Sequence, residues 1–325
     1  MTSPTPIAAG ATVADLGEFG LVREFVGRFQ QGPQVYVGPG DDAAVLRAPK
    51  GHVVVSTDLL VEGRHFRREW AGAREIGRRA AAQNLSDINA MGGRATALTV
   101  GLALPRDLPA QWVLDLADGI AEEAALVGAS IVGGDLTAGS EVVIAVTVIG
   151  ECTVAPVLRS GARPGDVLAI AGRQGWAAAG LAVLGRGFRS PRVLVEAHQR
   201  PEPPYEAGPA AAAGGATSMI DVSDGLVADV GHLAEGSGVL IDIDASAFTL
   251  DEPLQAVGAA LGVDPMEFVL GGGEDHPLVA TFPADGPLPD GFRPIGRVSA
   301  RQDATAPAVT VDGAAYEGTP GHTHF

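Results

Sequence analysis

Lysine is nearly missing from this chain of 325 residues. Lys50 is the only one, so arginine supplies the other 21 of 22 basic residues. Lys50 stands in Ala-Pro-Lys-Gly, a turn-forming run. The Gly-rich loop ending in Lys-Ser/Thr that cradles phosphates in P-loop proteins is therefore absent, as is the paired strand lysine of protein kinases. Cysteine is equally scarce. A single Cys152 excludes an internal disulfide, a thiolate zinc cluster and a CxxC redox pair. HExxH and GxSxG are missing, which removes motif support for zincins and α/β-hydrolases. Positive charge is in deficit, with 39 acids against 22 bases and a net charge of −17. That balance argues against a nucleic-acid partner, whose phosphates call for basic patches. The apolar runs fall far short of the roughly 20 residues that span a bilayer. Residues 1–10 are rich in Ser, Thr, Pro and Ala and do not make a charged-then-apolar leader. Together these absences predict a cytoplasmic protein with no membrane or nucleic-acid partner.

What is present suits a folded protein. Hydrophobic residues make up 46% and charged residues 19%, a globular composition. The length allows two domains of roughly 150 residues. Apolar spacing predicts an amphipathic helix over 15–29 and an Ala-rich helix over 73–91. Further helices are expected at 108–127, 224–235 and 254–261. Strands are expected at 35–37, 43–46, 53–57, 97–103, 130–132, 142–149, 167–171, 219–222, 239–243, 277–281 and 294–298. Residues 198–215, with prolines at 201, 203, 204 and 209, read as a long connection. A Pro-, Gly- and Arg-rich break at 152–166 places a domain boundary. The expected organisation is a flexible tail at 1–14, an N-terminal domain at 15–151 and a C-terminal domain at 152–325. The fold class is α/β, with mixed α+β character.

The chemistry is expected in the acids. Asp41, Asp42, Asp58, Asp87, Asp135, Asp221, Asp224, Glu274 and Asp275 sit beside Gly or Ser at the ends of apolar strands, and read as turn residues. Each one alone reads first as a turn or helix-cap residue. Six such segments in one chain point instead to a shared site. Hard cations such as Mg²⁺ take carboxylate oxygens and offset clustered negative charge. His65 and Arg159 are candidate phosphate contacts, although a structural histidine and a solvated arginine are the plain alternatives.

The motifs GEFGLV, GPGDDAAVL, STDLLVEGRHF, NLSDINAMGG, GGDLT, LRSGARPGD, IDVSDGL and GGGEDH occur in the order found in the thiamine-monophosphate kinase family. The chain resembles that family from Glu18 to its C-terminal His-Phe. The resemblance implies an aminoimidazole-ribonucleotide-synthetase-like fold, with an N-terminal ATP- and Mg-binding domain that pairs in a homodimer and a C-terminal α/β domain. It implies ATP as co-substrate, several Mg²⁺ ions and thiamine phosphate as acceptor. Carried over by motif, Asp41, Asp42, Ser56, Thr57, Asp58, Asp87, Asp135, Asp221 and Asp224 resemble metal ligands. Asp87 resembles the carboxylate that bridges several ions, and Asp42, Asp87 and Asp224 are the expected catalytic set. Gly134, Asp135, Arg159 and Ser223 resemble nucleotide contacts; His65, Glu274 and His322 resemble substrate contacts. Two positions depart from the family pattern. His276 replaces an aromatic after Glu-Asp, and His322 stands where an aromatic usually stacks on the substrate; imidazole can still stack. The implied reaction needs no general base. A phosphate monoester has a second pKa near 6, so its oxygen is largely ionised at pH 7. Positioning and charge neutralisation then carry phosphoryl transfer.

Overall fold

The computed structural model describes residues 10–37, 45–47, 53–303 and 308–322. Asp41 and Asp42 lie outside them. The chain divides into two compact units. The first holds the residues up to Ile88 together with Arg94–Glu151; the second holds Asn89–Gly93 together with Cys152–Phe325.

The elements of the first unit are α1 (Val13–Val26), β1 (Val35–Val37), β2 (Val45–Leu46), β3 (Val53–Val61), α2 (Ala73–Ala90), β4 (Gly93–Leu104), α3 (Ala110–Leu126), β5 (Ser130–Ala138) and β6 (Val143–Cys152). β1 and β2 form a small antiparallel pair. The main sheet has the order β3-β6-β4-β5. β3 runs antiparallel to β6, and β4 parallel to β5. A parallel pair needs a long crossover, and α3 provides it. β6 alternates strictly between buried and half-buried positions. Its Ile144, Val146 and Val148 are buried, as are Ile76, Leu85 and Ile88 of α2 and Leu114, Leu116 and Ile120 of α3. The other face of the sheet stays open: on β3, Val53, Val55 and Leu59 are 52%, 59% and 55% exposed.

Two expectations are corrected in this unit. The strand expected at 130–132 runs on to Ala138, because β5 pairs with β4 through Leu104↔Ala138. Pairing overrides the poor strand propensity of the two glycines. Residues 11–14, expected in the tail, are tied down: Val13 N–H donates to the Leu108 carbonyl at 2.9 Å, and the Ala11 carbonyl accepts from Ala110 at 2.8 Å.

The second unit comprises β7 (Val167–Ala171), α4 (Trp176–Gly185), α5 (Arg192–Gln199), α6 (Ala207–Ala213), β8 (Ser218–Asp221), α7 (Leu226–Ser237), β9 (Val239–Ile243), α8 (Glu252–Leu261), α9 (Pro265–Leu270), β10 (Leu278–Phe282), β11 (Phe292–Ala300), β12 (Val309–Val311) and β13 (Ala314–Ala315). Its sheet has the order β13-β12-β9-β11-β7-β10-β8. The recorded pairs are antiparallel except β9–β12. β8 and β10 are buried at every position. Their longest apolar runs are residues 219–220 and 278–280, and the buried hydroxyls of Ser218 and Thr281 satisfy each other at 2.7 Å. The register of β11 shifts between Pro294 and Gly296, where proline cannot donate to the ladder.

The connection expected at 198–215 is partly helical. The alanines of α6 favour a helix, and Ala207 and Ala211, four apart, enter a core with Ala169, Ala171, Leu278 and Phe282. Pro209 falls in the first turn of α6, where a missing N–H is harmless. Among the described residues, no helix is long and apolar enough to cross a membrane.

Candidate active site

In the first unit, β3 and α2 bring five polar side chains together. Strand side chains alternate, so Ser56 and Asp58 share one face. Helix residues three apart also share a face, so Asn84 and Asp87 do as well. Ser56 Oγ donates to Asp87 Oδ2 at 2.6 Å. The Asp58 backbone N–H donates to Asn84 Oδ1 at 3.1 Å, and Gln83 Nε2 donates to Asp58 Oδ2 at 3.2 Å. Asn84 is fully buried and held by its Nδ2 donating to the Ala80 carbonyl at 2.9 Å.

These acids were expected in turns. Asp58 is instead inside a strand, Asp87 inside a helix, and Gly134 and Asp135 inside β5. Regular elements place donors more tightly than loops do. Thr57, expected beside Ser56 and Asp58, faces the opposite way by the same alternation. Its hydroxyl bonds Thr147 Oγ1 at 2.8 Å on the open face of the sheet. His65 sits after β3, with Nδ1 accepting the Val61 N–H at 3.0 Å.

Gly134 pairs with Val100 of β4, and a Cβ there would be driven into the Val100 carbonyl oxygen. Beside it lies a mainly apolar cavity of about 90 Å³. Phe25, Phe29, Val100, Ile120 and Leu136 line it, with Asp135 among its lining residues.

In the second unit, three segments meet at the start of α7. Asp221 ends β8, and its Oδ2 lies 3.0 Å from His276 Nδ1, with both side chains buried. His276 thus pairs with a carboxylate instead of presenting an aromatic face. Glu274 N–H donates to the Ser223 carbonyl at 3.0 Å, and His322 N–H donates to the Asp224 carbonyl at 3.0 Å. Glu274 and His276 have φ of 72° and 53°. Left-handed backbone at non-glycine residues is strained and clusters at functional sites. Gly273 makes the turn feasible, since a Cβ there would be driven into the Ser223 carbonyl and lie 2.7 Å from the Asp224 carbonyl carbon.

Sequence reasoning missed one buried carboxylate in a supporting role, Asp229, and read another, Asp275, only as one of the clustered acids. Asp229 Oδ2 accepts the backbone N–H groups of Ser223, Asp224 and Gly225 at 3.0, 3.0 and 3.1 Å. Burial pushes its carboxyl up to about 7, and the neighbouring charges of Asp221 and Asp224 push the same way. Asp275 Oδ2 accepts the Ala177 N–H at 3.0 Å in the first turn of α4. Burial pushes Asp275 up to about 6, against the pull of that N–H and of Arg173. Asp229 lies five residues after the motif acid Asp224, which was the available signal.

The Arg159 backbone lies away from this cluster. Its carbonyl accepts from Ser237 Oγ at 3.4 Å, at the far end of α7. That helix of 12 residues is roughly 18 Å long at 1.5 Å per residue.

Among the described residues, no three His, Cys, Asp or Glu side chains are close enough together to hold a metal ion. The donors fit Mg²⁺ in kind. Ser56, Asp58 and Asp87 offer only hydroxyl and carboxylate oxygen, the hard ligands this ion takes. Asp221 and Asp224 also bring like charges close enough to disfavour ionisation of Asp229, a field that a cation relieves.

Fold and site define an AIR synthase related protein. The N-terminal domain of that family matches residues 40–152, and its C-terminal domain matches 163–280. The chain is 49% identical over 317 residues to the thiamine-monophosphate kinase of Mycobacterium tuberculosis, covering 97% of this chain and 93% of the relative. It is 42% identical to that of Corynebacterium glutamicum, covering 92% and 91%. It also matches the structure of AaThiL complexed with AMPPCP and TMP, with a TM-score of 0.78 and 32% identity over 98% of this chain and 100% of that one. The chain is an enzyme of the thiamine-monophosphate kinase family.

Proposed function

We propose that this enzyme transfers the γ-phosphate of ATP directly and in line to thiamine phosphate, giving thiamine diphosphate and ADP, with several Mg²⁺ ions. The observation that carries the reading is the near full-length match to a thiamine-monophosphate kinase at 49% identity. The match to AaThiL, which holds AMPPCP and TMP together, supports ATP as the donor.

In this reading Ser56, Asp58, Asp87 and Asp135 of the first unit and Asp221 and Asp224 of the second hold Mg²⁺, joined by Asp41 and Asp42. When bound, the ions would offset the negative charge of the two phosphate partners. Asp87 has the central place, held at a fixed angle by Ser56. Ser223, Gly134 and Arg159 contact ATP, and the apolar cavity beside Gly134 takes its base. His65, Glu274 and His322 contact thiamine phosphate. No side chain removes a proton, because the acceptor oxygen is already largely ionised at pH 7. A cytoplasmic location goes with ATP as co-substrate. The test is direct: purified enzyme with ATP, Mg²⁺ and thiamine phosphate should form thiamine diphosphate and ADP in equal amounts. Folded enzyme that forms neither refutes the reading.

A homodimer belongs to the same proposal. The open face of the first unit's sheet carries Val53, Val55 and Leu59, with Thr57 among them. A row of exposed aliphatic residues on a sheet marks an interaction surface. Leu59→Asp would put an unpaired charge into the contact, costing about 3–5 kcal/mol. Light scattering should then report half the mass of the parent protein at micromolar concentration. An unchanged mass would place the contact elsewhere.

A further inference from the structure

Asp229 is absent from the ligand set that the family resemblance carries. It is 2% exposed and lies in the first turn of α7. One oxygen, Oδ2, accepts three successive backbone N–H groups, from Ser223, Asp224 and Gly225. Such a row of amides at a helix start is ordinarily an anion-binding nest, suited to phosphate. Here the chain's own carboxylate fills it. The carbonyls of the same turn are also engaged, Ser223 by the Glu274 N–H and Asp224 by the His322 N–H. The backbone of Ser223 and Asp224 is therefore committed in both directions, and a ligand meets this turn through side chains.

We propose that Asp229 is a positioning residue. By occupying the amide nest it locks the backbone of Ser223 and Asp224, keeps phosphate oxygens off the helix start, and leaves a turn that recruits Mg²⁺ and nucleotide through the Asp224 carboxylate and the Ser223 hydroxyl. This rests on the reading of Ser223 and Asp224 as nucleotide and metal residues. Geometry and not charge is the basis of the effect, so an amide oxygen in the same place should serve.

The test compares the parent enzyme with Asp229→Ala and Asp229→Asn. Hydrogen exchange of the 223–225 amides is read alongside calorimetric titration with a non-hydrolysable ATP analogue in Mg²⁺. In Asp229→Ala the three amides should exchange at least about tenfold faster, and analogue affinity should fall about tenfold. Affinity lost in Asp229→Ala and regained in Asp229→Asn is a split that general unfolding does not produce. Asp229→Asn should restore protection and bring affinity within about threefold of the parent. Should Asp229→Ala fail to fold, Asp229→Glu serves in its place, since it keeps the charge and moves the acceptor oxygen. Affinity that stays intact after protection is lost, affinity that falls while protection remains, or unchanged protection in every variant overturns the proposal. A parent enzyme that binds no analogue sinks the site assignment itself and not the role of Asp229.

Discussion

Asp87→Asn is expected to cut turnover by about 10²–10³-fold and leave the fold intact, the scale seen when one preorganised electrostatic partner of a transition state is removed. The substitution is nearly isosteric. Ser56 Oγ, 2.6 Å from Asp87 Oδ2, can still donate to an amide oxygen. Asp87 is half-buried among buried neighbours of α2, so an amide of equal size leaves that packing alone. What disappears is a full negative charge between β3 and α2. If that charge holds Mg²⁺, turnover should also need more Mg²⁺ for half-maximal rate. Turnover at saturating ATP, a Mg²⁺ titration and a melting curve measure the three terms separately. Near-parental turnover would remove Asp87 from the centre of the site. A fall of more than a few degrees in melting temperature would recast it as a structural residue.

Gly273→Ala should be as damaging by a different route. Its Cβ would be driven into the Ser223 carbonyl, which already accepts the Glu274 N–H. These are backbone atoms, so no side chain can rotate away. The turn must move, carrying Glu274 on one side and Ser223 on the other. A cost near 3 kcal/mol, the upper end of ordinary overpacking, is expected. That corresponds to a fall of roughly 5–10 °C in melting temperature. A displacement of even 1 Å in positioning groups costs on the order of 10²-fold in rate, so activity should fall by at least that much. Scanning calorimetry and a steady-state assay on the same sample check both numbers. A variant with parental rate and stability would show that the close approach to Ser223 is not needed.

The helices at 73–90, 110–126 and 226–237 were legible because apolar spacing reports which face will be buried. The strands at 167–171 and 239–243 were legible from their β-branched and alternating character. The α6 helix was not. Four nearby prolines dominate a local reading, and only the core around Ala207 and Ala211 decides otherwise. The extension of β5 through Gly133 and Gly134 was hidden for a related reason, because strand pairing is a contact between distant segments.

The candidate site divides along the same line. The residue types expected to carry the chemistry were legible in the amino-acid order alone: many acids in repeated Gly- and Ser-flanked contexts, one lysine and one cysteine. That inventory removes the P-loop, an internal disulfide and a CxxC redox pair, whatever the fold. Where each acid sits was decided only in three dimensions. Ser56 and Asp58 meet Asn84 and Asp87 because a two-residue period faces a helical one across about 30 residues of sequence. Thr57 is turned away by that same period. His276 acquires its partner Asp221 from packing between segments 55 residues apart, whereas Asp229, a carboxylate shut away from water, finds its donors in the turn that opens its own helix. Composition and order thus determine the class of chemistry. Burial and pairing between distant segments determine which oxygen faces which donor.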